Sequence, residues 1–202
     1  MKLYYSPGAC SQVPHILIHE TGLKAELVRV DLRAKRTENG DDYKQIAPKG
    51  SVPLLQLDDG STLTEGPVIA QYLCDKAGRT DLMPAAGTMA RYRVMEWQNF
   101  ITTEIHKSYS PLFKPNAAPA TKAWFRDVLK EKYALVSKQL ERTEYLTGST
   151  FTAADAYLFT VSNWAKGVGV DIQGFAPVRT FLGRVRQRPA VQAALRAEGF
   201  LK

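Results

Sequence analysis

The chain has 202 residues, of which 45% are hydrophobic and 23% charged, with a net charge of +7. That length supports one large domain or two small ones with proper cores, and no apolar run approaches the about 20 residues that a membrane-spanning helix needs. The basic residues are scattered and not interleaved with aromatic ones, so the charge suits a small anionic ligand and argues against a nucleic-acid platform.

Met1 to Tyr5 reads as a short strand, and Gln12 to Glu20 as a helix. Pro7 and Gly8 force a turn between them, which puts Cys10 at or just before the helix N-terminus. Unpaired backbone N–H groups and the helix dipole there favour a thiolate over a thiol. A reactive cysteine and a small residue merely filling the turn are both compatible with this placement. Gly22 ends the helix, and Ala25 to Leu32 alternates as a second strand, so the unit is βαβ with parallel strands and a right-handed crossover. Arg33 to Ile46 is polar and irregular, with a short helix near Asp41 to Ile46. The apolar run after Pro53 is a third strand, and Asp58-Asp59-Gly60 turns it into a fourth at Ser61 to Leu63. Thr64-Glu65-Gly66-Pro67 opens a helix, with Pro67 at a position where its missing N–H costs nothing.

Gly78, Pro84 and Gly87 mark a linker over 79–87. Beyond it the pattern is helical: one long helix from Ala90 to Leu112 ended by Pro111, a second from Thr121 to Leu140, then Thr152-Ala153-Ala154-Asp155. Thr152 is a good N-cap, and Asp155 stands where a capping-box acid reaches back. The almost wholly apolar helix that follows should be buried. Two shorter helices follow, near Val178 to Arg186 and Ala190 to Ala197.

Met1 to Tyr5 has no signal-peptide layout, and Cys10 and Cys74 make neither a disulfide framework nor a C-x-x-C pair, so a cytoplasmic location is the expectation. His15 and His19 have a spacing that can bind metal, but no third ligand accompanies them, and no metal is expected.

Taken together, these residues resemble a family. The βαβ–α–ββ–α order, Val52-Pro53 before strand three, Glu65 before a helix, the all-helical second half and the Thr152-x-x-Asp155 box resemble a cytosolic glutathione transferase. Ser6-Pro7-Gly8-Ala9-Cys10 with His106-Lys107-Ser108-Tyr109-Ser110-Pro111-Leu112-Phe113 is similar to the bacterial beta class. The resemblance implies a thioredoxin-like domain with a mixed four-stranded sheet over 1–80 and an all-α domain over 88–202. It implies glutathione as co-substrate, small hydrophobic electrophiles as second substrates, and a homodimer. Val52, before a cis Pro53, would pair with the cysteinyl backbone of glutathione. Glu65 and Gly66 would hold its γ-glutamyl end, and Lys35 its glycyl carboxylate. Where many relatives have a serine, Gly66 offers only its backbone. Asn99, Thr103, Glu104 and His106 would present a face across from Cys10. Tyr109, Phe113 and Trp164 would take the electrophile between the domains. Cys10 and His106 would carry the chemistry, with Tyr5 or Ser11 open as further donors to the sulfur, and Cys10 could also form a mixed disulfide. A glutaredoxin-like reductase on this scaffold and a non-catalytic regulator of the stringent-starvation type are the alternatives.

Overall fold

In the computed structural model, which describes Met1–Lys202, the chain divides into two compact units, Met1–Thr80 with Arg188–Lys202, and Asp81–Gln187. The first contains β1 (Lys2–Tyr5), α1 (Gln12–Thr21), β2 (Glu26–Asp31), β3 (Arg36–Thr37), α2 (Tyr43–Ile46), β4 (Leu54–Gln56), β5 (Thr62–Thr64) and α3 (Gly66–Lys76). The strands form one sheet in the order β3-β2-β1-β4-β5, in which β1 and β2 are parallel and the other pairings antiparallel. Gly22 closes α1 at φ 70, the left-handed conformation that glycine adopts without a Cβ penalty. Leu3, Ile16, Leu17, Leu54, Leu55, Ile69 and Leu73 are buried and form the core.

The sheet has five strands where the sequence predicted four. The extra one is β3, from a stretch read as irregular. Asp31 Oδ1 accepts the N–H groups of Arg33 (2.8 Å) and Ala34 (2.9 Å), which turns the chain back so that Arg36 and Thr37 pair with Asp31 and Val30.

The second unit is helical: α4 (Met89–Phe100), a π-helical turn (Ile101–His106), α5 (Lys107–Tyr109), α6 (Pro119–Leu140), α7 (Ala153–Ser162), a 3-10 turn (Lys166–Val168) and α8 (Ala176–Arg186). Every residue of α7 is buried, as its apolar run predicted. Its capping box is present, with Thr152 N–H donating to Asp155 Oδ2 at 2.8 Å. The predicted single helix from Ala90 to Leu112 is instead interrupted. Lys107 N–H bonds the carbonyl of Thr102, five residues back, where an α-helix would use the fourth. The cause is local. The hydroxyls of Thr102 and Thr103 donate to the carbonyls of Gln98 (2.8 Å) and Asn99 (3.2 Å), competing with the amides that α-helical pairing would put there.

The last helix, α9 (Pro189–Ala197), packs on α1 and groups with the first unit, whereas the family resemblance implies one all-α domain over 88–202. No helix is long and apolar enough to cross a membrane.

Candidate active site

Sheet topology brings four segments to one end of the first unit. Strands β1 and β2 are parallel, so the turn after Tyr5 and the loop after Asp31 leave at the same end. Strand β4 is antiparallel to β1 with Tyr4 opposite Leu54, so Val52-Pro53 enters there, and β5 pairs Thr64 with Leu54, so Glu65 leaves there. Cys10, Lys35, Val52-Pro53 and Glu65-Gly66 therefore share one edge because of strand direction alone. The Val52–Pro53 peptide is cis, as the resemblance implied.

Cys10 sits in the turn that feeds α1. Ala9 N–H donates to Ser6 O (3.0 Å), Gln12 N–H to Ala9 O (3.0 Å) and Val13 N–H to Cys10 O (3.1 Å). The half-buried thiol donates to the carbonyl of Val52 at 3.2 Å. Burial pushes the Cys10 thiol up to about 11, the N–H groups of Cys10 and Ser11 pull it down by less, and Glu65 adds to the rise. The expectation of a standing thiolate is thus corrected: the helix start acts in the predicted direction, but desolvation outweighs it. Ser11 is wholly buried. Its hydroxyl donates to Ser6 O (3.2 Å) and accepts from Ser6 N–H (3.1 Å), so it closes the turn. Burial also raises the pKa of Tyr5, with Glu38 and Glu198 adding to the rise.

Lys35 and Glu65 are the two non-glycine residues with positive φ, 56 and 70. Such conformations cost on the order of 1–3 kcal/mol and gather at ligand sites. Lys35 Nζ donates to Gly50 O at 2.7 Å and Tyr43 OH to Ser51 O at 2.9 Å, so both brace the approach to Val52. Glu65 is exposed and immediately precedes the first residue of α3, Gly66, whose N–H belongs to the helix start. Lys49 Nζ lies 2.7 Å from Glu65 Oε1 and 3.1 Å from Thr64 Oγ1. The sequence reading passed over Lys49, whose separation from Glu65 gives no local signal.

In the second unit, His106 ends the π-turn and its Nδ1 lies 2.6 Å from the hydroxyl of Tyr157. Burial lowers its pKa to about 4, with Lys107 contributing, so the ring is neutral near neutral pH. A phenol is the better donor to a neutral imidazole, which leaves the ring hydrogen on Nε2. The ring of Trp164 stands edge-on to His106 (4.9 Å between centroids), Tyr109 (5.5 Å) and Phe113 (5.7 Å). The three residues predicted for the electrophile thus form one cluster with His106. Tyr109 is wholly buried, with its hydroxyl 3.0 Å from that of Tyr133, which donates to Ser162 at 2.9 Å, so it backs the cluster, while Phe113 is exposed. Asn99 and Thr103 are exposed. Glu104 pairs with Lys132 at 2.8 Å, and that ammonium holds its carboxyl below the usual range. Tyr157 escaped the sequence reading because it lies inside an apolar run that reads as core.

Comparison with known proteins bears on both units. Residues 8–76 match the model of the glutathione S-transferase N-terminal domain and residues 103–198 that of the C-terminal domain. The chain is 46% identical over 199 residues to glutathione S-transferase GstA of Escherichia coli O157:H7, covering 98% of this chain and 99% of that protein. The solved ternary complex of BphK, a bacterial glutathione S-transferase, is 50% identical with a TM-score of 0.96 over 98% of this chain and 100% of that one. A sphingomonad glutathione S-transferase complexed with glutathione is 42% identical with a TM-score of 0.95, over 98% and 99%. The thioredoxin-like sheet joined to a helical unit, and identity sustained along almost the whole chain, lead to one conclusion: this chain belongs to the glutathione S-transferase family, and its likeness within that family is to the bacterial beta class.

Proposed function

We propose that this protein conjugates the thiol of glutathione to small hydrophobic electrophiles. The observation that carries the reading is the gathering of Cys10, Lys35, Val52 and Glu65 at one sheet edge, two of them in strained conformations. Glutathione is an extended, anionic tripeptide. Val52 would pair with its cysteinyl backbone as an added strand does. Glu65 would accept from its ammonium group, and the Gly66 N–H at the start of α3 would donate to the neighbouring carboxylate. Lys35 would meet the glycyl carboxylate. The protonated thiol of Cys10 can donate a hydrogen bond to the glutathione sulfur, favouring the thiolate there, because two adjacent thiolates repel.

The Trp164 cluster with exposed Phe113 would receive the apolar electrophile, and neutral His106 would offer its Nε2 hydrogen. Retention on immobilised glutathione, followed by conjugation to an activated aryl chloride, tests the reading. Failure to be retained would favour the non-catalytic alternative.

The same cysteine supports thiol–disulfide exchange as a secondary activity. The Cys10 thiol gives up its proton, its sulfur attacks one sulfur of glutathione disulfide, the S–S bond of that disulfide breaks as the mixed disulfide forms at Cys10, and the leaving glutathione thiolate takes up a proton. Cys10 is half-buried and Cys74 wholly buried, which favours Cys10 as the site. Two free cysteines fit a reducing, cytoplasmic setting. We also propose a two-fold homodimer, supported by the exposed apolar side chains of Met89, Tyr92 and Met95 on α4 and Leu135 on α6. Light scattering that finds a monomer at micromolar concentration would remove it.

A further inference from the structure

The Nζ of Lys49 lies 2.7 Å from Glu65 Oε1 and 3.1 Å from Thr64 Oγ1, so a positive and a negative group stand side by side where α3 begins. The backbone under both is pinned. Gly50, next in the chain after Lys49, is buried at φ 61. Its N–H donates to Ala47 O at 2.7 Å, and its carbonyl accepts from Lys35 Nζ at 2.7 Å. The same short loop runs on into the cis Val52–Pro53 peptide. Glu65 itself is held at φ 70. The two side chains are nevertheless 60% and 62% exposed. An ion pair this open adds little to stability, so the fold gains almost nothing from keeping it.

Beside this pair the start of α3 is open. Gly66 has no side chain, and a Cβ there would meet nothing within 4 Å outside its own helix and chain neighbours. A carboxylate entering that space finds the Gly66 N–H, while Pro67 brings no N–H of its own. A carboxylate has two oxygens and about four lone-pair sites, so one backbone donor leaves most of it unsatisfied. Lys49 brings an ammonium group to the same helix start.

We infer that Lys49 is a specificity-determining residue that binds the α-carboxylate at the γ-glutamyl end of glutathione, next to the ammonium group taken by Glu65. The inference rests on the reading of this sheet edge as the glutathione site. That end of the ligand carries an ammonium and a carboxylate on one carbon, and the Glu65–Lys49 pair presents the opposite charges side by side. Lys49 occupies Glu65 Oε1, which leaves Oε2 to the ligand's ammonium. In the complex the charges alternate in sign around a ring, each attracted to both of its neighbours. A ligand with the ammonium but no carboxylate would instead be repelled by Lys49 without return.

The experiment measures dissociation constants by calorimetry for glutathione and two analogues. One has γ-aminobutyryl in place of γ-glutamyl and keeps the ammonium alone. The other has glutaryl there and keeps the carboxylate alone. Lys49→Ala should weaken glutathione and the glutaryl analogue about five- to tenfold, and should leave the aminobutyryl analogue unchanged or bound more tightly. Glu65→Gln should give the reverse pattern, weakening glutathione and the aminobutyryl analogue. Equal weakening of all three by Lys49→Ala would show that Lys49 only steadies Glu65 or serves another part of the ligand. Unchanged or tighter glutathione binding in that variant would show that Lys49 competes with the ligand's ammonium for Glu65. Either result would overturn the inference while leaving the glutathione site in place. A wild-type protein that binds none of the three would remove the functional reading of this edge, and the inference with it.

Discussion

The thiol of Cys10 donates to the carbonyl of Val52 across 3.2 Å, joining the turn after β1 to the strand entry that would receive a peptide ligand. The cysteine is thereby tied to the backbone it would share with glutathione, and it is protonated when it does so. Its alkylation rate should be low at pH 7 and rise towards a midpoint of about 11. Because the folded pKa lies above the ordinary value, this group's contribution to stability is present below about 9 and lost as pH rises towards 11. An alkylation midpoint below 8 would show that the helix start wins after all. Cys10→Ala should keep part of the conjugation activity and lose the mixed disulfide seen by intact mass spectrometry after treatment with glutathione disulfide.

His106 should show no titration between pH 5.5 and 8. The sign follows from burial. The folded state resists protonation down to about 4 while the unfolded chain protonates near 6.5, so this residue stabilises the fold above 6.5 and the contribution fades as pH falls through that window. His106→Gln should flatten the pH dependence of melting between 4 and 6.5. Ring resonances that titrate near 6.5 would contradict the buried, neutral assignment.

Glu65 stores strain at a position where its carboxylate faces outwards to Lys49. Glu65→Gly should relieve the strain and stabilise the protein by about 1 kcal/mol, while raising the glutathione KM far more than it lowers kcat. Lys49→Ala should hardly change the melting temperature, because an exposed pair contributes about 0–1 kcal/mol. Its effect should appear in KM. An unchanged KM in the Glu65 variant would mean that the carboxylate serves no ligand.

Asp155 is wholly buried and accepts from Leu146 N–H, Thr152 N–H and the Thr152 hydroxyl, each at 2.8 Å. Asp155→Ala should cost about 2–4 kcal/mol by leaving buried donors unpaired, read as a loss of denaturant midpoint at constant slope. A loss below about 0.5 kcal/mol would show that the box is dispensable to the fold.

What was legible in the sequence was whatever rests on local pattern. Pro7-Gly8 gave the turn, Gly22 the helix end, Thr152 with Asp155 the capping box, and each stands in the structure where the pattern puts it. Strand β3 was not legible because two residues carry no periodicity, and its turn is made by a single carboxylate. The state of the Cys10 thiol was misjudged because sequence shows a helix start but not how much water the fold removes from it. Lys49 and Tyr157 were missed for a common reason: each gains its partner across a long sequence separation, to Glu65 and His106 respectively. Apolar Phe113 and Trp164 were found only through the family resemblance, since an aromatic on a helical pattern reads as core.

The π-turn from Ile101 to His106 has a consequence for how this helix can vary. Each residue of an α-helix advances about 100° around the axis. A turn closed five residues back holds one residue more than an α-turn needs, so the segment behaves as an α-helix carrying a one-residue insertion. Removing Thr102 or Thr103 would therefore heal the helix rather than break it. The healed helix would keep His106 and Tyr109 on the face they occupy now, because the wide turn already absorbs the extra residue. A regular α-helix of the present length would instead rotate them by about 100°, the angle of one residue. The wide turn thus keeps His106 facing Tyr157 and Trp164, and loss of one residue should be tolerated within Ile101–His106 while the same loss within Met89–Phe100 would turn His106 away from both.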